Sequence, residues 1–363
     1  MNRLLAGFFL VIVSLTVMSS CKKDQPQVSD IPTPDSPVSA DLLNVPYDSL
    51  SQYGFFIGDM KDQMPVEGVI EYKPASKLFT DYAYKKRFIW MPGNMQAKYN
   101  GDHTVLDFPV GTILIKNFYY EKMQPGDEFV ILETRLMIKK YTGWVFAEYI
   151  WNDAQTEAYL DMNGSNRAIS FIDDNDILKN ANYRFPSETE CLICHKFNEE
   201  PIPIGLKPQS INFELDYNGQ MINQLQKLVD VGYLEKNIPS NITSVVDYSD
   251  PTQDLELRLR SYLDMNCAHC HSENSHCDYR PLRLAFSETS DKANMGLCIP
   301  PDEVINPALN EIIVPSNTAR SVMHYRLSST VASEMMPLLG RSLVHTEAVD
   351  LLEQWINTQT DCN

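Results

Sequence analysis

The segment SYLDMNCAHCHSENSHC, Ser261 to Cys277, holds three cysteines and three histidines within seventeen residues. Inside it lies Cys267-Ala-His-Cys270-His271, and a second copy of that spacing, Cys191-Leu-Ile-Cys194-His195, stands upstream. Two thiols one turn apart, followed at once by an imidazole, suit covalent attachment of a c-type haem. The thiols reach the two vinyl groups, and the adjacent ring faces the iron. The spacing therefore predicts two covalently attached c-type haems, with Cys191, Cys194, Cys267 and Cys270 as anchors and His195 and His271 as proximal iron ligands. Zinc uses the same residue types, but each Cys-x-x-Cys would then need a second ligand pair. A thioredoxin-like dithiol needs a strand before the motif and no histidine after it.

A low-spin electron-transfer haem also needs a sixth ligand, and methionine raises its potential relative to histidine. SEMMPLLGRS supplies Met335 and Met336 ahead of the loop-forming Pro337, and Met336 is the candidate ligand of the second iron. His324 is its competitor, and core packing is the commoner use of methionine. For the first iron, Met221 is the one methionine between His195 and Asp264, at what reads as a core position of a helix. The sixth ligand there, or a vacancy, stays open. His269 and His276 read as solvated or haem-edge residues, and His345 as a surface residue before the last helix. Cys277 and Cys298 flank a loop and are candidates for a disulfide, with Cys362 either unpaired or the true partner.

The elements that must hold these groups change character along the chain. KKRFIWM (85–91), GTILIKNFYY (111–120), EFVILETRLMIKK (128–140), WVFAEYIW (144–151) and AISFI (168–172) are rich in β-branched and aromatic residues and are separated by turn residues, which predicts a mainly antiparallel sheet. Trp90, Trp144 and Trp151 read as core, with a sugar-binding platform as the alternative. Beyond Pro186 the periodicity becomes helical. NGQMINQLQKLVDVG, DLELRLRSYLDMNC and TEAVDLLEQWIN carry apolar residues at helical spacing, with Gly232 as a stop and Thr346 as a cap.

The chain has 363 residues, 44% of them hydrophobic, and a formal charge of -18 from 30 basic and 48 acidic residues. Nucleic acid is excluded as a partner, because its phosphates would be repelled. The surplus of acid provides solubility and also suits docking to a basic redox protein. At the start, Asn2-Arg3, the apolar run Leu4 to Val17 and Met18-Ser19-Ser20 before Cys21 have the pattern of an export signal. The apolar run is shorter than the roughly 20 residues that span a bilayer. Met18-Ser19-Ser20-Cys21 resembles a bacterial lipobox, which implies acylation of Cys21 and an anchor in the membrane. A Pro-, Ser- and Asp-rich tether follows. The domain order expected is signal peptide 1–20, flexible linker 21–44, β-rich domain 45–185, first haem-binding segment 186–250 packed on it, and a cytochrome c-like domain 251–363 with the second haem.

KLFTDYAYKKRFIWMP, LDFPVGTILIKNFYY, ETRLMI, CLICH with PIGLK, YLDMNCAHCH, and MPLLG with WI together resemble a bacterial family of di-haem c-type cytochromes with a β-rich N-terminal domain. The resemblance spans nearly all of the mature chain and implies an exported electron-transfer protein. Members of that family tend to read Met-Pro-Pro-Leu-Gly, where this chain has Met336-Pro337-Leu338-Leu339-Gly340. The β-domain leading into CLICH is also similar to β-sheet mono-haem cytochromes that oxidise hydroxylamine, in which the sixth position is open. The expectation is thus an α+β chain, a β-rich N-terminal domain followed by a helical cytochrome c-like C-terminal domain. Its function would be electron transfer with redox proteins of the cell envelope, in the periplasm or at the outer membrane. A haem enzyme with an open first iron, and a partner- or glycan-binding module with an attached cytochrome, are the alternatives.

Overall fold

The computed structural model describes residues 36–362. The export signal, Cys21 and the tether up to residue 35 lie outside the described residues. Among those described, no helix is long and apolar enough to cross a membrane.

Strands β1 (Ile70–Tyr72), β2 (Tyr84–Trp90), β3 (Ile113–Met123), β4 (Glu128–Lys140), β5 (Gly143–Trp151) and β6 (Ala158–Leu160) form an antiparallel meander in chain order. A hairpin of β7 (Asn163–Ile172) and β8 (Leu178–Ser187) joins the far end of β3, through Met123 and Phe171. All five predicted strands are present, and β1, β6 and β8 are additional ones.

Both faces of this sheet are covered, which is why its strands read as apolar runs rather than as clean alternation. On one face Phe88, Trp90, Ile113, Ile115, Tyr149 and Trp151 pack against Val38, Leu42, Leu50, Tyr53 and Phe55. Residues 36–44, expected to belong to the flexible linker, are therefore pinned: Val38 and Leu42 are buried, and the Ser39 N–H donates to the Tyr53 carbonyl at 2.9 Å. Trp90, Trp144 and Trp151 are all buried, so they serve the core and offer no sugar platform.

On the other face Ile89, Leu114, Met137 and Trp144 pack against Leu206, Ile211, Leu225, Leu228 and Leu234. Those residues belong to the segment that follows β8: α1 (Glu188–Cys194), β9 (Lys196–Phe197), β10 (Glu200–Pro201), α2 (Pro208–Ile211), β11 (Glu214–Tyr217), β12 (Gln220–Asn223) and α3 (Gln224–Asp230). The helix expected to contain Met221 is shorter than its periodicity implied. Asn218 (φ 58°) and Gly219 (φ 85°) form a left-handed turn between β11 and β12, so Met221 lies on a strand and is 59% exposed. Met221 is neither core nor ligand. The helix begins only at Gln224, where the Asn223 side chain accepts from the Leu225 and Gln226 N–H groups.

The C-terminal part packs α4 (Leu255–Asn266), α5 (Val322–Ser328) and α6 (Thr346–Thr358) around Leu259, Tyr262, Leu263, Leu351, Leu352, Trp355 and Ile356. His345 rather than Thr346 occupies the cap position of α6, without a side-chain cap bond. Nor is His345 a surface residue: it is 6% exposed, and its ring stacks on Phe79 with centroids 4.1 Å apart. Cys298 pairs with Cys362, which leaves Cys277 a buried free thiol. The chain is thus a mixed α/β protein with a large antiparallel sheet in its N-terminal part; at 18% helix against 27% strand, the helices are short segments set among turns.

Polar ties join the two parts. Lys207, after the first motif, forms an ion pair with Asp264 of α4 at 3.0 Å, and Asp264 also accepts the Phe286 N–H at 3.0 Å. Asn266 accepts the Phe79 N–H at 2.7 Å and donates to the Lys77 carbonyl at 3.0 Å. Asp81 accepts the Ser342 and Leu343 N–H groups at 2.7 and 2.8 Å. The KLFTDY stretch is therefore the strap that grips the C-terminal part.

Candidate functional site

The first motif is placed by the end of β8. Ser187 starts α1 with a reciprocal capping box to Glu190, and Arg184 pairs with Glu190 at 2.7 Å, which together stabilise a helix of only seven residues. At its end the His195 N–H donates to the Cys191 carbonyl at 2.9 Å. The β9–β10 hairpin then turns through Asn198 and Glu199, both left-handed, and returns Ile202 to the histidine. His195 Nδ1 lies 2.9 Å from the Ile202 carbonyl, so this nitrogen carries the proton and Nε2 is left as a metal donor. The Phe146 ring meets the imidazole edge-on at 5.5 Å between centroids. Burial pushes His195 down to about 4, so the ring is neutral, as a ligand must be.

The second motif starts where α4 stops. Asp254 caps the first turn of α4 by accepting from the Glu256 and Leu257 N–H groups, and Cys267 is the C-cap that follows Asn266. The Cys270 and His271 N–H groups both donate to the Cys267 carbonyl, at 3.0 and 2.9 Å, which winds the pentapeptide into one tight turn. Burial pushes His271 to about 4 as well. Unlike His195, its Nδ1 has no hydrogen-bond partner among the described residues.

Each motif lines its own cavity. The first, about 180 Å³, is walled by Cys191, Cys194 and His195 together with Leu114, Met137, Phe146 and Glu148 of the sheet. The second, about 300 Å³, is walled by Cys267, Cys270 and His271 together with Leu263, Leu284, Met323, Leu327 and Met336. The structure therefore brings Met336 into the cavity of His271. Met335 is buried outside its wall, and His324 is also outside, 3.7 Å from Glu353. The Met336 loop is held by Arg341, which donates to the carbonyls of Met336, Arg326, Ser329 and Leu343 at 2.8 to 3.1 Å.

The two cavities share a partition formed by Cys194, Asn266, His269, Pro337 and Leu339. Cys270 Sγ is 3.2 Å from the Ile193 carbonyl, and Cys194, Cys270 and His269 each bring a ligand-type atom within 4.8 Å of the others. His269 is thus part of the dividing wall, while His276 lines the second cavity. By contrast, burial pushes the Cys191 and Cys267 thiols up to about 12, away from the thiolate form that metal clusters select.

Sequence reasoning missed several lining groups. Met137 and Met162 come from the sheet side and Met265 from α4, and all three enter the first cavity from outside the stretch between His195 and Asp264. Glu148 also enters it, with neither carboxyl oxygen hydrogen-bonded among the described residues. Burial, and then Glu133, raises this carboxyl to about 11, so it is protonated. The alternating pattern of β5 carried the signal, since Glu148 shares a face with buried Trp144.

The donor set fits a covalently held haem at each motif: two thiols and a neutral imidazole line each cavity beside apolar side chains, with Met336 in the second. No family model, curated protein or solved structure matches the chain.

Proposed function

We propose that this chain is a di-haem c-type cytochrome that transfers electrons in the cell envelope, as the resemblance to the di-haem family implies. Cys191, Cys194 and His195 would hold one haem and Cys267, Cys270, His271 and Met336 the other. A c-type haem supplies a one-electron couple at its iron. The observation that carries the reading is the shared partition: two cavities, each with its own motif, are separated by Cys194, Asn266, His269, Pro337 and Leu339. Side chains common to both linings set the two sites side by side, which favours exchange between them. The neutral histidines, the oriented Nδ1 of His195 and the protonated Cys191 and Cys267 support the same reading. Export and acylation at Cys21 belong to this proposal, as does docking of a basic redox partner to a chain of net charge -18.

The test is a pyridine haemochrome count on chain produced with a cytochrome c maturation system, where two haems per chain are expected. Met336→Ala should turn one haem high-spin and leave both attached. A first haem that is high-spin and binds cyanide in the wild-type chain would move the function to the haem-enzyme alternative. A second reading rests on the Cys194, His269 and Cys270 group, which offers three ligand atoms within 4.8 Å. Stoichiometric zinc or copper without haem would transfer the function to that group.

A further inference from the structure

The face of the sheet that carries the first cavity is patterned in rows that run across the strands. Ile89 of β2 faces Leu114 of β3, Leu114 faces Met137 of β4, and Met137 faces Phe146 of β5. This row is apolar, and Phe146 touches the His195 ring. One pleat along, Arg87 faces Lys116, Lys116 faces Arg135 and Arg135 faces Glu148. Three cations thus stand side by side on adjacent strands, where like charges directly opposite each other repel. All three line the cavity of His195.

The protein supplies too little negative charge for them. Arg135 is matched by Glu133, with bonds of 2.9 and 2.5 Å. Glu148 faces Arg135 at the end of the row, away from Arg87 and Lys116, and burial raises its carboxyl. Arg87 is 9% exposed, and neither it nor Lys116 has an ion-pair or hydrogen-bond partner for its side chain among the described residues. Lys116 Nζ instead sits 4.8 Å from the Phe118 ring centroid. With protein groups alone, burial, followed by Arg87 and Arg135, pushes the Lys116 ammonium well below its ordinary range. Buried charges persist in proteins when they are paired. The cavity therefore demands an anion at this row, and successive rows on one face lie about 7 Å apart. The matching ligand has an apolar body against Leu114, Met137 and Phe146 and an anionic edge one row further on.

Building on the di-haem reading, we infer that Arg87 and Lys116 are the charge partners of the two propionate carboxylates of a haem held by Cys191, Cys194 and His195. The second site has no such row: its wall carries Arg280 and Arg326, and Arg280 is already paired with Glu303 at 2.9 Å. The cations would then set the first potential apart from the second. An oxidised iron carries one more positive charge than a reduced one, so a neighbouring cation favours reduction.

The test uses the full-length holoprotein. Arg87→Met and Lys116→Met should keep two haems per chain, lower the potential of the first haem by at least a tenfold change in its one-electron equilibrium, about 59 mV, and shift its propionate bending modes in resonance Raman spectra. The second haem is identified as the one whose potential Met336→Ala moves, and it should not respond. Lys86→Met is the control, because Lys86 points to the opposite face and pairs with Glu71 at 3.6 Å. If the neutral variants fail to fold, Arg87→Lys and Lys116→Arg carry the test: they keep the charge and the potential but alter the propionate modes. An unmoved first potential with unmoved propionate modes overturns the inference. So does a first potential that tracks added phosphate or nitrite, which would assign the row to a soluble anion. A wild-type chain without haem sinks the di-haem reading itself, and that is seen before any variant is made.

Discussion

The two motifs share a pentapeptide spacing and little else. The first stands on a sheet whose register puts Leu114, Met137 and Phe146 beside His195 and fixes the imidazole through the Ile202 carbonyl. The second hangs from the end of α4 in a stretch of turns, with His271 unanchored at Nδ1 and Met336 delivered by a loop that Arg341 holds. The contrast teaches that one and the same motif can be set in unlike surroundings, and that the surroundings decide what each site depends on. A sheet-built site inherits its rigidity from the strand ladder. A turn-built site depends on long-range ties and on the bound group itself.

The largest effect expected from this contrast follows loss of each group in turn. Cys191→Ser with Cys194→Ser, and Cys267→Ser with Cys270→Ser, should each halve the haemochrome absorbance. The second pair should also lower the melting temperature by several degrees more than the first, because the turns from Cys267 to Leu284 line the cavity that would hold the proposed haem. Equal losses of stability at the two sites would break the contrast.

Next comes the joint between the parts. Asp264 is 2% exposed and its charge partner is Lys207. Lys207→Met leaves that carboxylate buried and unpaired, at a cost of about 3–5 kcal/mol in urea unfolding. Lys207→Met combined with Asp264→Asn, which removes the charge and keeps an acceptor for the Phe286 N–H, should recover most of the loss. A smaller effect, roughly 2–4 kcal/mol, is expected for Cys298→Ser, because the disulfide to Cys362 closes a loop with a sequence separation of 64. That loss belongs to the turn-built part, so the first haem's spectrum should melt later than the second's in this variant.

What was legible in the sequence divides along the same line. The Cys-x-x-Cys-His spacings and the strands are local patterns, and the sheet was read from them. The Asn218-Gly219 turn was equally local, but the helical spacing of Met221, Leu225 and Leu228 masked it. The row of Arg87, Lys116, Arg135 and Glu148 is a different case. It exists only once the register of four strands is fixed, and a slip of one residue would send each side chain to the other face. Cys362 as the partner of Cys298, and His345 as a buried ring, depend likewise on where the chain end and the KLFTDY strap come to rest.

The smallest effect concerns that strap. His345 lies between Phe79 of the N-terminal part and Tyr262 of α4, with Nδ1 3.2 Å from the Tyr262 hydroxyl. Burial pushes its pKa from 6.5 down to about 4, and Glu347 at 3.7 Å opposes this only weakly. The folded pKa is below the unfolded one, so as pH falls the unfolded chain takes up the proton first. The stability contributed by the neutral ring is whole above 6.5 and drains between 6.5 and 4, by at most about 1.4 kcal/mol per pH unit. The urea midpoint should therefore fall as pH drops through that window, and His345→Phe, which keeps the stacking on Phe79, should remove one share of the slope, the rest belonging to His195 and His271, which burial also pushes down to about 4. If wild type and His345→Phe lose stability in parallel, the strap does not depend on a neutral ring, and the acid sensitivity belongs to one of the two sites instead.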